Sequence, residues 1–99
     1  MEMQTKEDIT KAIAEIYHPA INLTLTELGI VRDIDLWDDT VILTFVFPFP
    51  DIPIADKLIQ SVNQVVEEAG RKMEYIVRIM KEDEKKAFLK KEKEAWKGL

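Results

Sequence analysis

Residues 41–53 read VILTFVFPFPDIP, an apolar run followed directly by a segment that contains three prolines. Because Thr44 is the only polar residue between Val41 and Phe47, this run is typical of a strand that is covered on both faces. Proline cannot donate a hydrogen bond to a neighbouring strand, so the strand should end where the prolines begin. A helix is predicted to begin at about Ile54, where the backbone N–H groups of its first turn would be free to face a ligand. We therefore place the predicted functional site in this loop.

Apolar residues at spacings of three and four residues predict three helices along the chain. The predicted helices cover residues 6–17, 54–69 and 83–97. Thr5 is a plausible N-cap of the first helix, and Pro19 should stop it, because a residue that precedes proline avoids helical angles. Gly70 is expected to cap the second helix at its C-terminus. Residues 18–28 form a connector, part of which should lie extended against the core, and Gly29 marks a tight turn or a close backbone approach.

Apolar and alternating runs predict three strands, which cover residues 30–37, 40–47 and 73–80. Asp38-Asp39 is a turn signal, so the first two strands should form a hairpin. In the first strand, strict alternation would place Ile34 and Leu36 on one face together with Arg32.

The predicted order of elements is α-β-β-α-β-α, which indicates a small α+β fold. A strand-helix-strand crossover is right-handed and returns its second strand parallel to the first. The sheet is therefore expected to be mixed and three-stranded, with helices on one face in a two-layer sandwich. Residues 1–80 should form the domain, and residues 81–99 an amphipathic helix that packs on it or extends it. The pattern leaves open which strand of the hairpin pairs with the third strand.

The composition excludes several classes of function. The chain has 99 residues, enough for one domain, and no cysteine, which excludes disulfides, thiol catalysis and metal binding by its own thiolates. A net charge of −5 argues against a nucleic-acid binder that depends on phosphate contacts. No apolar run approaches the roughly 18 residues of a membrane span, and the charged N-terminus lacks the apolar segment of a signal peptide. We therefore expect a cytoplasmic protein that binds neither nucleic acid nor membrane.

Two segments carry a resemblance to a known family. Residues 27–31 read Glu-Leu-Gly-Ile-Val, and residues 48–53 read Pro-Phe-Pro-Asp-Ile-Pro before the second predicted helix. In this order and spacing, residues 9 to about 70 resemble the small iron–sulfur assembly domains related to PaaD and SufT. That family usually has an Asp-Pro-Glu-like turn, an (Asp/Glu)-Leu-Gly-aliphatic-Val segment, a hairpin and a Thr-x-Pro-x-Cys-Pro loop. The resemblance implies an α+β fold and a role in delivering or maturing iron–sulfur clusters.

The chain departs from the family pattern at positions that matter for chemistry. The family's loop cysteine falls on Ile52 and its loop threonine on Pro48, while the acidic residues of its turn fall on His18 and Ala20. Isoleucine can neither ligate iron nor exchange a thiol. The resemblance therefore implies a non-enzymatic adaptor in iron–sulfur cluster assembly or metalloprotein maturation, with no metal or cofactor of its own. Its implied partners are proteins, either a P-loop scaffold ATPase or iron–sulfur apo-clients.

Seven residues are predicted to bind a partner around the proline loop. They are Glu27, Phe49, Pro50, Asp51, Ile52, Pro53 and Asp56. The favoured interpretation of Glu27 is structural, a carboxylate that accepts backbone N–H groups near the start of the second helix. A less favoured alternative makes Glu27, Asp51 and Asp56 the oxygen ligands of a divalent cation. His18 is a candidate cap at the end of the first helix, where imidazolium is favoured, and no nucleophile beside it suggests catalysis.

Aromatic residues provide the strongest candidates for a docking surface. Phe45 and Phe47 are expected in the core. Phe49 stands between two prolines, which limit the entropy lost on binding, so it either anchors a partner or folds back over the core. For Phe88 and Trp96 of the last helix, core packing is favoured over docking.

Two other functions remain open on the sequence. The first is an accessory subunit of a multicomponent (phenylacetate-type) oxygenase, as in PaaD-type relatives. The second is a KH-like nucleic-acid module, which is less favoured because the chain lacks a GxxG clamp and is acidic. Monomer and homodimer are both compatible with the sequence, since a hairpin edge can pair between chains.

Overall fold

The computed structural model describes residues 5–97, which form one three-stranded sheet and three helices. In chain order the elements are α1 Lys6–Ala14, β1 Val31–Trp37, β2 Thr40–Phe47, α2 Ala55–Glu68, β3 Lys72–Ile79 and α3 Glu82–Ala95. The predicted α-β-β-α-β-α order and the mixed α+β sheet are confirmed, and β2 has the bounds expected from its apolar run. No helix within residues 5–97 is long and apolar enough to cross a membrane.

The strand order is β1-β2-β3, so the apolar strand β2 is central. β1 pairs antiparallel with β2 across the turn at Asp38–Asp39, as the hairpin prediction requires. β3 pairs parallel with β2, in the direction expected for a strand-helix-strand crossover. The question that the sequence left open is therefore settled, because β3 adds to the second strand of the hairpin.

A β-bulge interrupts β1 and overturns its predicted alternation. The register shifts after Arg32, and Asp33 takes a left-handed φ of 54°. Arg32 is opposite Thr44, whereas Leu36 is opposite Val41. Because directly opposite residues share a face, and Thr44 and Val41 lie on opposite faces of β2, Arg32 and Leu36 cannot share one. The extra residue of a bulge shifts the alternation by one, so the prediction that these side chains share a face was wrong.

The helices α1 and α2 bury one face of the sheet. Alternate residues of β2 point into this interface, among them Val41, Leu43 and Phe45, which are at most 1% exposed. They pack in one cluster with the buried helix residues Ile9, Ile13, Leu58, Val62 and Val66. The spacing of four residues between these helix positions gives each helix a single apolar stripe, as predicted.

The first helix begins at its predicted cap but ends earlier than predicted. Thr5 Oγ1 accepts a hydrogen bond from the Asp8 N–H at 3.1 Å, which confirms the N-cap. The helix ends at Ala14 rather than at Tyr17. Tyr17 instead forms an antiparallel bridge with Thr24, which draws the chain into an extended path before Pro19. Pairing with the connector therefore ends this helix, and Pro19 lies beyond the point where the helix has already ended.

The connector packs its apolar residues into the core and is hydrogen-bonded to the end of α3. Ile21 and Leu25 are fully buried, as expected for a segment that lies against the core. The Asn22 N–H donates to the carbonyl of Ala95 at 2.8 Å, and Ile21 forms a bridge with Trp96. Backbone pairing therefore attaches the C-terminal end of α3 to the connector.

Gly29 is confirmed as a turn, and the atoms that approach it closely belong to a side chain rather than to backbone. Its φ of +78° lies in the left-handed region, and a Cβ there would sit 3.1 Å from Nη2 of Arg32. Arg32 Nε donates to the Gly29 carbonyl at 3.2 Å. The glycine therefore lets the Arg32 side chain lie across the turn and point toward α3.

The carboxylate of Glu84 fixes the first turn of α3 to both edge strands. It accepts hydrogen bonds from Arg32 Nη1 at 2.7 Å and from Arg78 Nη1 and Nη2 at 2.8 and 2.9 Å. The Lys81 N–H also donates to it at 2.9 Å. Its side chain is only 13% exposed. The hydrogen bonds from Arg78, followed by the one from the Lys81 N–H, lower the pKa of Glu84 from 4.5 to about 2.

We expect Glu84→Gln to remove a pH-dependent part of the stability. A carboxyl whose folded pKa is depressed stabilises the fold above its unfolded pKa of about 4.5, and this contribution is lost as pH falls toward about 2. The free energies of unfolding of the wild type and the variant, measured with urea, should therefore differ most at neutral pH and converge toward pH 2. Glu94→Gln, at an exposed position of the same helix, is the control and should show a much flatter difference. A Glu84→Gln difference that is constant with pH would contradict this assignment.

Candidate partner-binding site

The proline loop after β2 turns back sharply and presents its centre to solvent. Pro48 is buried beneath it, while Phe49, Pro50 and Asp51 are exposed. Asp51 has a left-handed φ of 57°, a conformation that aspartate tolerates and that reverses the chain. The Ala55 N–H then donates to the Ile52 carbonyl at 3.0 Å and starts α2. The loop is thus held at both ends by a strand and a helix.

A cleft of about 340 Å³ lies between the proline loop and α3. We call it the α3 cleft. The loop contributes Pro48, Phe49 and Ile52, and the other wall contains Phe88, Glu92 and Trp96. Phe88 is buried, as predicted, and forms part of the floor. Apart from the carboxylate of Glu92 and the His18 ring, these walls are apolar, which suits an apolar side chain of a ligand or partner.

A second depression, of about 350 Å³, lies on the other side of the same loop, against the start of α2. Phe49 and Ile52 line it together with Pro50, Asp51 and Asp56. Five of the seven predicted site residues therefore lie around one concave surface. Pro53 is exposed in the same loop.

Exposed aromatic rings flank the α3 cleft. Phe49 is 44% exposed and Trp96 is 55% exposed, whereas Phe45 and Phe47 are buried. The two core predictions are therefore confirmed. Of the two alternatives left open for Phe49, the ring is exposed and does not fold back over the core. Lys85 Nζ lies 4.1 Å from the centre of the Phe49 ring, a cation–π contact that helps to hold the ring in place.

The core prediction for Trp96 was wrong. Its backbone bridges to Ile21, and this pairing leaves its ring on the outer wall of the cleft. Helical spacing could not show this, because α3 ends at Ala95 and Trp96 takes extended angles. The only sequence signal for an exposed Trp96 was its position as an aromatic residue near the end of an amphipathic helix.

Glu27 lies apart from the proline loop. Its Oε1 accepts a hydrogen bond from the Thr24 N–H at 2.9 Å, and its own N–H donates to Thr24 Oγ1 at 3.2 Å. The bond from the Thr24 N–H lowers the pKa of Glu27. Lys91 Nζ donates to the Glu27 carbonyl at 2.7 Å. Glu27 therefore accepts a backbone N–H within its own turn of the connector, and its predicted place at the start of α2 was wrong.

The carboxylates that the structure describes are too dispersed to hold a metal ion. In the part of the chain that the structure describes, residues 5–97, no three of the His, Asp and Glu side chains form a group that could hold a metal ion. The alternative that joined Glu27, Asp51 and Asp56 around a divalent cation was therefore wrong, because Glu27 lies on the connector beside α3, away from the loop.

His18 is buried in the inner wall of the α3 cleft, where it holds the connector. Its Nδ1 accepts a hydrogen bond from the Ala20 N–H at 3.0 Å, so this nitrogen carries no proton. Burial, and to a smaller extent the charge of Lys97, lowers the pKa of His18. A neutral ring four residues beyond the end of α1 cannot act as the predicted imidazolium cap, which was therefore wrong.

We expect Ile52→Cys to introduce a reactive thiol at the position where the family loop has its cysteine. Ile52 is half-buried, faces the α3 cleft and precedes α2 by three residues. A thiol near a helix N-terminus has a lowered pKa and reacts faster with alkylating reagents at neutral pH. The chain has no other cysteine, so iodoacetamide labelling reports on this site alone. Val62→Cys, fully buried in the core, is the unreactive control, and equal protection of both thiols would contradict the loop geometry.

Comparisons with known proteins agree with this architecture. A solved structure titled as a domain of unknown function (DUF59) from Bacillus anthracis superposes with a TM-score of 0.59 at 16% identity. The superposition covers 76% of this chain and 73% of that one, and it supports the fold alone. A curated protein of Porphyromonas gingivalis, named Fe-S protein maturation auxiliary factor, is 33% identical over 66 residues. These residues are 66% of this chain and 63% of that protein, so the chain spans less than two thirds of its relative.

The family match places the proline loop inside a recognised domain and leaves α3 outside it. A model described as "Iron-sulfur cluster assembly protein" matches residues 6–74, which run from the start of α1 into β3. The matched segment holds the connector, the hairpin and the whole proline loop, in the order that carried the resemblance. The chain therefore belongs to the iron–sulfur cluster assembly protein family.

Proposed function

We propose that this protein is a non-enzymatic accessory factor in iron–sulfur cluster assembly or metalloprotein maturation. The family membership and the name of the Porphyromonas gingivalis relative support a role in this pathway. The proposed activity is the binding of another protein, without ligation of a cluster by this chain. Its side chains include no thiolate, and the family's loop cysteine is replaced by Ile52.

The observation that carries the proposal is the α3 cleft with its two exposed rings. Phe49 and Trp96 stand on its opposite walls, and both keep about half of their surface open to solvent. Aromatic side chains beside a concave apolar pocket are the usual anchors of a protein interface. The prolines on both sides of Phe49 reduce the entropy that the loop would lose on binding. An apolar side chain of the partner would fill the cleft.

The proposed binding surface consists of residues 49–53 and Asp56, together with Trp96 on the facing wall of the α3 cleft. Asp51 and Asp56 are exposed on the α2 side of the loop and would form the polar rim. Glu27 belongs to the fold of the connector, where it closes a turn, and we assign it no contact with the partner. The expected partner classes are a P-loop scaffold ATPase and iron–sulfur apo-clients.

The test is a pull-down of the tagged protein from its native extract under anaerobic conditions. Bound proteins are identified by mass spectrometry, and iron and acid-labile sulfide are assayed on the eluate. Recovery of an assembly ATPase or of iron–sulfur clients, at a level that falls when the cleft is altered, supports the proposal. Recovery of hydroxylase subunits would overturn it in favour of the oxygenase alternative. The proposal would also be overturned if no protein were recovered, or if every recovered protein bound equally well to the intact and to the altered cleft.

A further inference from the structure

The two edges of the sheet differ in their protection against pairing with another strand. β1 carries a bulge at Asp33 and exposed carboxylates at Asp33 and Asp35, features that keep an edge strand from pairing. β3 instead keeps an unbroken register with β2 from Lys72 to Ile79 and contains neither proline nor glycine. A long and regular edge strand is a ready site for the addition of another strand.

The side chains of β3 are unusually apolar for an edge strand. Ile76 is 65% exposed, and Tyr75, Val77 and Ile79 are also exposed. Because successive residues of a strand point to opposite faces, Ile76 lies on one face and the other three on the second. Both faces of this edge therefore present apolar surface that a neighbouring strand would cover.

The charges of β3 favour a second copy of the same strand as that neighbour. Two identical antiparallel strands in one sheet are related by a two-fold axis that passes through a single residue position, because paired residues must share a face. With the axis at Ile76, Glu74 is opposite Arg78 of the second copy, and this favourable pair occurs twice. Tyr75 is then opposite Val77 of the second copy, and Ile76 is opposite itself.

Other registers that keep more than half of β3 paired lose this complementarity. An axis at Tyr75 would place Lys72 opposite Arg78, and an axis at Glu74 would place two carboxylates opposite each other. An axis at Val77 would leave both Glu74 and Arg78 opposite uncharged residues. The sequence of β3 is therefore self-complementary in one register.

We propose that the protein forms a homodimer in which β3 pairs antiparallel with β3 of a second copy, about a two-fold axis at Ile76. The two sheets then join into one sheet of six strands. Arg78 can pair with Glu74 of the second copy while it stays hydrogen-bonded to Glu84. Its guanidinium has further N–H donors, and its side chain is 37% exposed. A single strand pair buries less surface than the interface of a permanent dimer, so association should depend on concentration.

Sedimentation equilibrium of the whole chain and two variants tests the interface. Ile76→Lys places two ammonium groups opposite each other at the axis, and we expect it to raise the dimer dissociation constant at least tenfold. Trp37→Lys is the matched control, since Trp37 is the exposed apolar residue at the end of the opposite edge strand. It should leave the dissociation constant unchanged. A wild type that remains monomeric up to about 1 mM, or a dimer that Trp37→Lys rather than Ile76→Lys dissociates, would overturn the proposal.

Disulfide cross-linking tests the register. The chain has no cysteine, so a single introduced thiol can bond only to its copy. In the proposed register the two copies of residue 76 are directly opposite, within the range that a disulfide spans. The two copies of residue 77 are displaced along the strands. Ile76→Cys should therefore form a covalent dimer under mild oxidation much faster than Val77→Cys, and equal or reversed rates would overturn the register and with it the proposed dimer.

Discussion

Replacing Phe45 by alanine is expected to lower the free energy of unfolding by about 3–5 kcal/mol. Phe45 lies at the centre of β2 and is fully buried. Its ring stacks on Phe47 with centroids 6.2 Å apart, and Tyr75 meets it edge-on at 5.3 Å. A domain of this size is stable by only about 5–15 kcal/mol, so the change would remove a large part of the total.

Urea unfolding of the wild type and of Phe45→Ala measures this loss. Phe49→Ala is the matched control, because it removes the same atoms from a half-exposed ring, and it should cost about 1 kcal/mol or less. If Phe45→Ala does not fold, Phe45→Leu keeps most of the volume and should still be measurably less stable than Phe49→Ala. Equal costs at positions 45 and 49 would contradict the placement of β2 at the centre of the fold.

The central strand and the second helix could be predicted from sequence because the burial of apolar side chains alone determines them. Val41 to Phe47 is apolar on both faces, and such a segment is stable only where other elements cover it. Leu58, Val62 and Val66 recur with helical spacing, so one stripe of α2 had to face that strand. Where burial alone decides, the pattern of apolar residues is sufficient.

The alternation of β1 and the end of α1 could not be predicted, because contacts distant in sequence decide them. The bulge at Asp33 depends on the register in which β1 pairs with β2. An alternating run of polar and apolar residues does not reveal that one strand contains an extra, unpaired residue. Tyr17 leaves the helix because it pairs with Thr24 of the connector. In both places backbone pairing with another segment of the chain prevails over the local preference.

The candidate site could be predicted only in part for the same reason. The proline loop was found because proline cannot donate a hydrogen bond to a neighbouring strand, so an apolar central strand ends where prolines begin. The opposite wall of the cleft comes from α3, whose position depends on its ion pairs with Arg32 and Arg78 and on its backbone pairing with the connector. No local pattern links Trp96 to Phe49, which is 47 positions earlier in the chain. The cleft between them therefore became visible only in three dimensions.

Loss of either exposed ring of the α3 cleft should strongly weaken partner capture. An aromatic anchor at the centre of an interface typically contributes about 2 kcal/mol or more, roughly a 30-fold change in affinity. We therefore expect Phe49→Ala and Trp96→Ala each to reduce affinity by about that factor, measured by titration with the partner recovered in the pull-down. The double variant should reduce binding below detection in the pull-down itself.

Trp37→Ala separates this effect from a general loss of exposed aromatic surface. Trp37 is more exposed than Trp96, but it lies beside the hairpin turn, at the end of β2 opposite to the proline loop. Its removal should leave partner affinity unchanged, and all three single variants should fold, because each alters a side chain that is at least 44% exposed. If Trp37→Ala weakened binding as much as Trp96→Ala, the partner would contact the sheet beside the hairpin turn and not the cleft. If neither Phe49→Ala nor Trp96→Ala weakened it, the proline loop would not be the binding surface, although the family membership of the chain would still stand.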